Sequence, residues 1–153
     1  MSYTIGVISD THGLLRPEIE QFLETCDAII HAGDIGSMEL FKRINSIAPT
    51  YAVKGNVDWE PWTRDLPLND LVEIAGKYFY ITHILADIEL DPSSTGIDAI
   101  IYGHTHMPEI IQKKSILYLN PGSAGPKRFT RPVSAGKIVV ENDDLHPEII
   151  HIE

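Results

Sequence analysis

The sequence predicts an α/β domain carrying two β-sheets. Three observations predict it. The first third repeats a unit of short apolar strand, polar loop and amphipathic helix. The second half is a succession of strand-like runs with few helical patterns. No linker, internal repeat or low-complexity tract separates the two, so residues 1–153 are expected to form one domain.

Residues 3–8 are β-rich and nearly continuously apolar, the pattern of a strand buried on both faces. After a turn at Thr11-His12-Gly13, residues 16–25 place Ile19, Phe22, Leu23 and Cys26 at helical spacing, with Pro17 in the first turn. Ala28–His31 is a second strand ending at Gly33-Asp34. Ser37 is placed to cap a helix whose buried stripe is Leu40, Phe41, Ile44 and Ile47. Residues 50–53 form a third strand ending at Gly55-Asn56.

The pattern then changes. Residues 59–69, with Pro61 and Pro67, read as irregular, and 71–74 and Lys77–Thr82 as an antiparallel hairpin around Ala75-Gly76. Residues 85–96 are polar and turn-rich, with room for a short helix. Residues 99–102 form another buried strand ending at Gly103-His104, and 110–113, 116–119, 133–140 and 148–152 are expected as antiparallel strands.

Composition limits the function. Twelve Lys and Arg stand against 22 Asp and Glu, a formal net charge of −10. A non-specific nucleic-acid binder carries a basic face, and the one basic cluster here is Lys127, Arg128 and Arg131. A long nucleic acid is therefore not an expected partner. The single cysteine, Cys26, excludes an intrachain disulfide and a Cys-based zinc finger. No apolar run reaches the roughly 20 residues that cross a bilayer, and the N-terminus lacks signal-peptide features. The expectation is a cytoplasmic protein without a membrane partner; self-association is left open.

The polar residues at the strand ends carry the chemistry. Asp10 and His12 follow the first strand, Asp34 the second and Asn56 the third. His83 follows the hairpin strand, and His104 and His106 follow 99–102. Carboxyl ends of strands in open α/β sheets form the ligand crevice. Several of these also have an ordinary reading: Asp10 and Asp34 as helix caps, Asn56 as a turn residue, Gly103 to His106 as a polar turn; His31, just before Gly33-Asp34, reads either as a support behind the site or as a core histidine, outside the ligand set. Together they suit two divalent ions sharing a carboxylate. Mixed His, Asp and Asn donors favour Mn²⁺, Fe²⁺, Zn²⁺, Co²⁺ or Ni²⁺ over an all-oxygen ion, and such a pair activates water and clamps a phosphoryl oxygen.

Asp10-Thr11-His12, Gly33-Asp34, Gly55-Asn56, His83 and Gly103-His104-Thr105-His106, in that order, resemble the signature of calcineurin-like metallophosphoesterases. Asn120-Pro121-Gly122-Ser123 resembles the motif of the small single-domain branch, the YfcE-like and MJ0936-like phosphodiesterases. The resemblance covers nearly the whole chain. It implies a four-layer αββα sandwich, two mixed β-sheets flanked by helices. It also implies one metal held by Asp10, His12, Asp34 and His106 and a second by Asp34, Asn56, His83 and His104, with Asp34 as the bridge. Manganese is the expected metal, and small phosphate esters, diesters foremost, are the expected substrates of a metal-bound hydroxide attacking in line. A non-catalytic scaffold or metal-binding regulator on the same fold, as in the retromer subunit, is the alternative.

The chain departs from the family pattern at two places. Val57 follows Asn56 where larger members carry His, leaving Asp58 either as the candidate general acid or as a solvated loop carboxylate. Ile84 follows His83 where the family commonly has Gly, so a different local backbone is expected. Trp59 and Trp62 line a substrate pocket or anchor their loop, and Lys127, Arg128 and Arg131 either meet a phosphate or form a solvated loop.

Overall fold

The structure, a computed structural model, describes residues 2–88, 96–127 and 130–152. Its elements run β1 (Ser2–Ile8), α1 (Pro17–Leu23), β2 (Ala28–His31), α2 (Met38–Ile47), β3 (Thr50–Ala52), β4 (Asn69–Ile74), β5 (Lys77–Thr82), β6 (Ala99–Ile101), β7 (Glu109–Lys113), β8 (Ile116–Asn120), β9 (Val133–Glu141) and β10 (Asp144–Ile152). The first five follow the repeated unit read from the sequence. Ser37 caps α2 as its spacing predicts, its hydroxyl accepting the Leu40 N–H at 3.1 Å.

Two mixed five-stranded sheets result, ordered β10-β9-β1-β2-β3 and β4-β5-β6-β8-β7. Their facing sides share one core, with Ile5, Val7 and Ile30 from the first sheet against Phe79, Ile81, Ile101 and Leu119 from the second. Burying such side chains is worth about 1.5–3 kcal/mol each, and it fixes the separation of the strand ends. On the outer side of the first sheet, Ile8 and Ile29 pack against Ile19 and Leu23 of α1 and Leu40 and Ile44 of α2. On the outer side of the second, Tyr80, Ile100 and Tyr102 are covered by Leu85, Ile88 and Ile97. The sandwich is thus the predicted α/β architecture. Its fourth layer, among the described residues, is one 3₁₀ turn at Leu85–Asp87. The rest of the predicted turn-rich stretch, 89–95, lies outside the described residues.

Two strand assignments differ from the sequence reading. β8 pairs antiparallel with β7 but parallel with β6, Ile101 opposite Leu119. The β7–β8 turn explains this: Lys114 and Ser115 both adopt positive φ, 51° and 66°, the tight hairpin geometry that Asn-Gly normally announces. β7 thereby folds to the far side of β8. The last strand begins at Asp144 rather than 148 and runs through Pro147. β10 is an edge strand, where a residue without an N–H costs no ladder bond on its open side. Among the described residues no helix is long and apolar enough to cross a membrane.

Candidate metal centre

The loops after β1 and β2 continue side by side beyond their strands. Asp10 N–H donates to the Gly33 carbonyl (2.9 Å), His12 N–H to that of Asp34 (3.0 Å) and Gly13 N–H to that of Ile35 (2.8 Å). The loops after β5 and β6 are joined in the same way, Gly103 N–H to the His83 carbonyl at 2.9 Å. Both sheets therefore deliver their polar loops to one crevice, as the strand-end rule anticipates.

Five of the seven candidate side chains converge there. Asp10 Oδ1 lies 3.3 Å from His106 Nε2, 3.7 Å from His83 Nε2 and 3.8 Å from His12 Nε2. Asp34 Oδ2 lies 3.2 Å from His83 Nε2 and 3.8 Å from His12 Nε2. The donors form two triads able to hold an ion, Asp10-His12-His106 and Asp10-Asp34-His83. Asn56 and His104 are exposed at the mouth. The His104 ring lies 5.3 Å, centroid to centroid, from that of His83, and Asn56 shares a cavity lining with His83.

The outward oxygens of both carboxylates are already engaged. Asp10 Oδ2 accepts from Ser9 Oγ (2.8 Å) and from the His104 N–H (3.1 Å), and Asp34 Oδ1 accepts from the Val57 N–H (3.1 Å). Asp10 Oδ1 and His12 Nε2, facing the centre, are buried without a hydrogen-bond partner. Buried polar atoms are nearly always paired, and oxygen and imidazole donors left bare at one point are what a divalent cation satisfies. The residues fit a metal. His83 is oriented toward the same point. Its Nδ1 donates to the Ala32 carbonyl at 2.7 Å, which turns Nε2 inward. Ile84 adopts an ordinary extended φ of −115°, so a β-branched residue follows His83 without strain.

Charge reflects the crowding. Burial raises the Asp10 pKa, against the lowering influence of His83, Ser9 and His106. Burial acts on Asp34 in the same sense, but the hydrogen bond and charge of His83, the Val57 N–H and His12 prevail and bring it to about 2. Burial disfavours the charged form of His83, yet Asp34 and Asp10 outweigh it and raise its pKa.

The backbone is unusual. Asp10, His12, Asp34, His104 and His106 all have positive φ, between 46° and 73°. A non-glycine residue held there costs about 1–3 kcal/mol, and five candidate ligands share the conformation. Asn120-Pro121-Gly122-Ser123 supplies part of the restraint. Asn120 Nδ2 donates to the Gly103 carbonyl (3.1 Å) and to Thr105 Oγ1 (3.0 Å), and Ser123 Oγ donates to the Asp10 carbonyl (3.2 Å). Arg131 Nη1 adds a bond to the Thr105 carbonyl at 2.7 Å, so it braces the loop between His104 and His106. Lys127 is exposed, and Arg128 lies outside the described residues. Gly55 and Gly103 permit close approach: a Cβ on Gly55 would strike Asp34 Oδ1, and one on Gly103 would strike Ser9 Oγ.

Four residues depart from or settle their sequence readings. Asp58 is neither solvated nor turned to the crevice. It is 3% exposed and its carboxylate accepts N–H bonds from Ile35 (3.1 Å), Gly36 (3.4 Å) and Gly55 (2.9 Å), joining the Asp34 and Asn56 loops. Trp62 anchors its loop against Phe41, whereas Trp59 is 81% exposed. His31 is a satisfied core histidine. Nδ1 accepts the Gly33 N–H (3.0 Å), so Nε2 donates to Thr11 Oγ1 (2.9 Å), which donates to the Ile35 carbonyl (2.8 Å). Complete burial, with His83 adding to it, lowers its pKa to about 3. The inward turn of Asp58 had only one sequence signal, its position two residues after Asn56.

Comparison with known proteins shows the family of the chain. The model of the calcineurin-like phosphoesterase superfamily domain matches residues 3–143. The chain is 36% identical to probable metallophosphoesterase MJ0623 of Methanocaldococcus jannaschii, over 97% of this chain and 81% of the relative. It is 34% identical to phosphodiesterase MJ0936 of the same organism, over 77% and 82%. The solved structure of vacuolar protein sorting 29 from Cryptosporidium parvum superposes with a TM-score of 0.77 over 99% of this chain and 98% of that one, at 17% identity, a likeness of fold alone.

Proposed function

This chain belongs to the calcineurin-like phosphoesterase superfamily, and we propose that it is a metal-dependent phosphodiesterase with a dinuclear centre, acting on small phosphate esters. The observation that carries the reading is the convergence of Asp10 Oδ1, Asp34 Oδ2 and the Nε2 atoms of His12, His83 and His106, with Asp10 Oδ1 and His12 Nε2 buried and unpaired.

Asp10, His12, Asp34 and His106 would hold one divalent ion, and Asp34, Asn56, His83 and His104 the other. Asp34 would be the shared ligand, as the family resemblance implies; its Oδ2 lies near His12 and His83, as Asp10 Oδ1 also does. The donor chemistry favours a first-row transition metal, manganese foremost. When bound, two such ions supply an activated water and a positive clamp for the phosphoryl group. The chain's own residues do the rest. Ser9 and the His104 N–H aim Asp10, the Val57 N–H aims Asp34, and the Ala32 carbonyl aims His83. Asp58 holds two ligand loops together rather than donating a proton to a leaving group. Ligand loops from both sheets support treating 1–153 as one phosphoesterase domain.

A non-catalytic scaffold is the second reading, favoured by the shared fold with vacuolar protein sorting 29. Retention of all seven donors argues against it. Turnover decides: protein loaded with Mn²⁺ should hydrolyse bis(4-nitrophenyl) phosphate, lose activity to a chelator and regain it with added metal. Metal-loaded protein inert to a panel of monoesters and diesters would favour the scaffold.

A further inference from the structure

A cavity of about 420 Å³ opens beside the centre, lined by Lys54, Asn56, Leu68, Asn69, His83 and Asp87 among others. That volume falls in the range of about 300–1,000 Å³ typical of small-molecule sites. Two of its walls, Asn56 and His83, are candidate ligands of the same metal position. A phosphoryl group bound between the ions would therefore send one ester arm into this cavity.

The lining distinguishes among arms. Among the described residues that line it, Lys54 is the one Lys or Arg, and it is half-buried. Among the described residues the Lys and Arg ion pairs are Arg43 with Glu20 and Lys77 with Asp143; Lys54 has no such pair. Its backbone is fixed, the N–H donating to the Pro67 carbonyl at 2.9 Å, which places Leu68 and Asn69 beside it. Leu68 and Ile84 give apolar wall, and Asn69 a neutral amide. Asp87 also lines the cavity, but it is exposed, where water and salt weaken its field.

We propose that this cavity is the subsite for the ester arm of the substrate, and that Lys54 selects arms ending in a second anionic group, a carboxylate or a phosphate. The inference rests on the phosphodiesterase reading above and adds a substrate class to it. Lys54 is a specificity residue here, with no part in holding metal.

Two hydrolysis-inert diester mimics test it: methyl(3-carboxypropyl)phosphinate, with a charged arm, and methyl(butyl)phosphinate, with a neutral one. Their binding to the metal-loaded protein is measured by calorimetry, alongside turnover of bis(4-nitrophenyl) phosphate and the melting temperature of each variant. The wild type should bind the carboxylated mimic about tenfold more tightly, a charge-assisted contact. Lys54→Met should abolish that preference while keeping its melting temperature and its turnover of the uncharged diester, and Lys54→Arg should retain the preference. Asp87→Asn should strengthen binding of the carboxylated mimic about threefold by removing a repulsive charge. Equal binding of the two mimics to the wild type, or a preference that survives in Lys54→Met, overturns the inference while turnover leaves the phosphodiesterase reading standing. Absence of both binding and turnover overturns the two together.

Discussion

Asp58 and Ile35 are joined across the crevice wall, both carboxylate oxygens of Asp58 lying 3.1 Å from the Ile35 N–H. Ile35 follows Asp34, and the same carboxylate accepts the N–H of Gly55, which precedes Asn56. Two loops that each end in a candidate ligand thus share one buried acceptor.

Asp58→Asn should therefore damage the site through its geometry. The amide offers one good acceptor where the carboxylate offers two and turns an N–H₂ toward N–H donors. Leaving such buried groups unmatched costs about 1–3 kcal/mol. The variant should melt lower and bind metal more weakly. Its loss of turnover should be equal for a nitrophenyl and an alkyl ester. A loss much larger for the alkyl ester would restore Asp58 as a general acid, because a poor leaving group depends more on protonation.

Asn120→Ala should act at a distance from the phosphoryl group. It removes the bonds to the Gly103 carbonyl and Thr105 Oγ1 that restrain the loop bearing His104 and His106. Each lost bond is worth about 0.5–1.5 kcal/mol, against positive-φ residues that gain by relaxing. Metal affinity should fall with the chain still folded, and saturating metal should recover most of the activity. Unchanged metal affinity would show that the loop holds its shape without Asn120.

Metal and protons should compete for His83. Its pKa lies above the ordinary 6.5 despite burial, because Asp34 and Asp10 favour the imidazolium. In metal-free protein this pairing stabilises the fold fully below pH 6.5 and is lost as pH rises through the raised value. Asp34, lowered to about 2 from 3.8, contributes stability that is present above 3.8 and lost as pH falls through about 2. Binding of metal at Nε2 must expel the His83 proton. Calorimetry in buffers of different ionisation enthalpy should detect proton release below about pH 6.5 that fades as pH rises through the raised value. Identical heats in all buffers at the lower pH would contradict the placement of His83 at the metal.

The parallel strands and the order of their polar ends were legible because apolar runs and Gly-flanked Asp, Asn and His are local signals. Ser37 and the Ala75-Gly76 hairpin were legible for the same reason. Three features were not. Positive φ at Asp10, His12, Asp34, His104 and His106 is imposed by contacts distant in sequence, such as Ser123 to Asp10 and Asn120 to Gly103. The parallel pairing of β8 with β6 depends on a Lys114-Ser115 turn that carries no glycine. The inward turn of Asp58 depends on N–H groups exposed by the Asp34 loop, more than twenty residues away. Local chemistry announced which residues matter, and long-range backbone bonds decide how they are held.

The proposed centre holds two metal ions that share Asp34. Mass spectrometry under non-denaturing conditions, on wild type and Asp34→Asn, tests it most directly. Wild-type protein saturated with Mn²⁺ should carry two ions per chain. Asp34→Asn, with one neutral acceptor in place of two charged oxygens, should lose most of its metal and at least about 100-fold in turnover, the scale of one lost transition-state contact. A saturated wild type that carries one ion, or an Asp34→Asn variant with full metal and full turnover, would contradict the assignment of the whole centre.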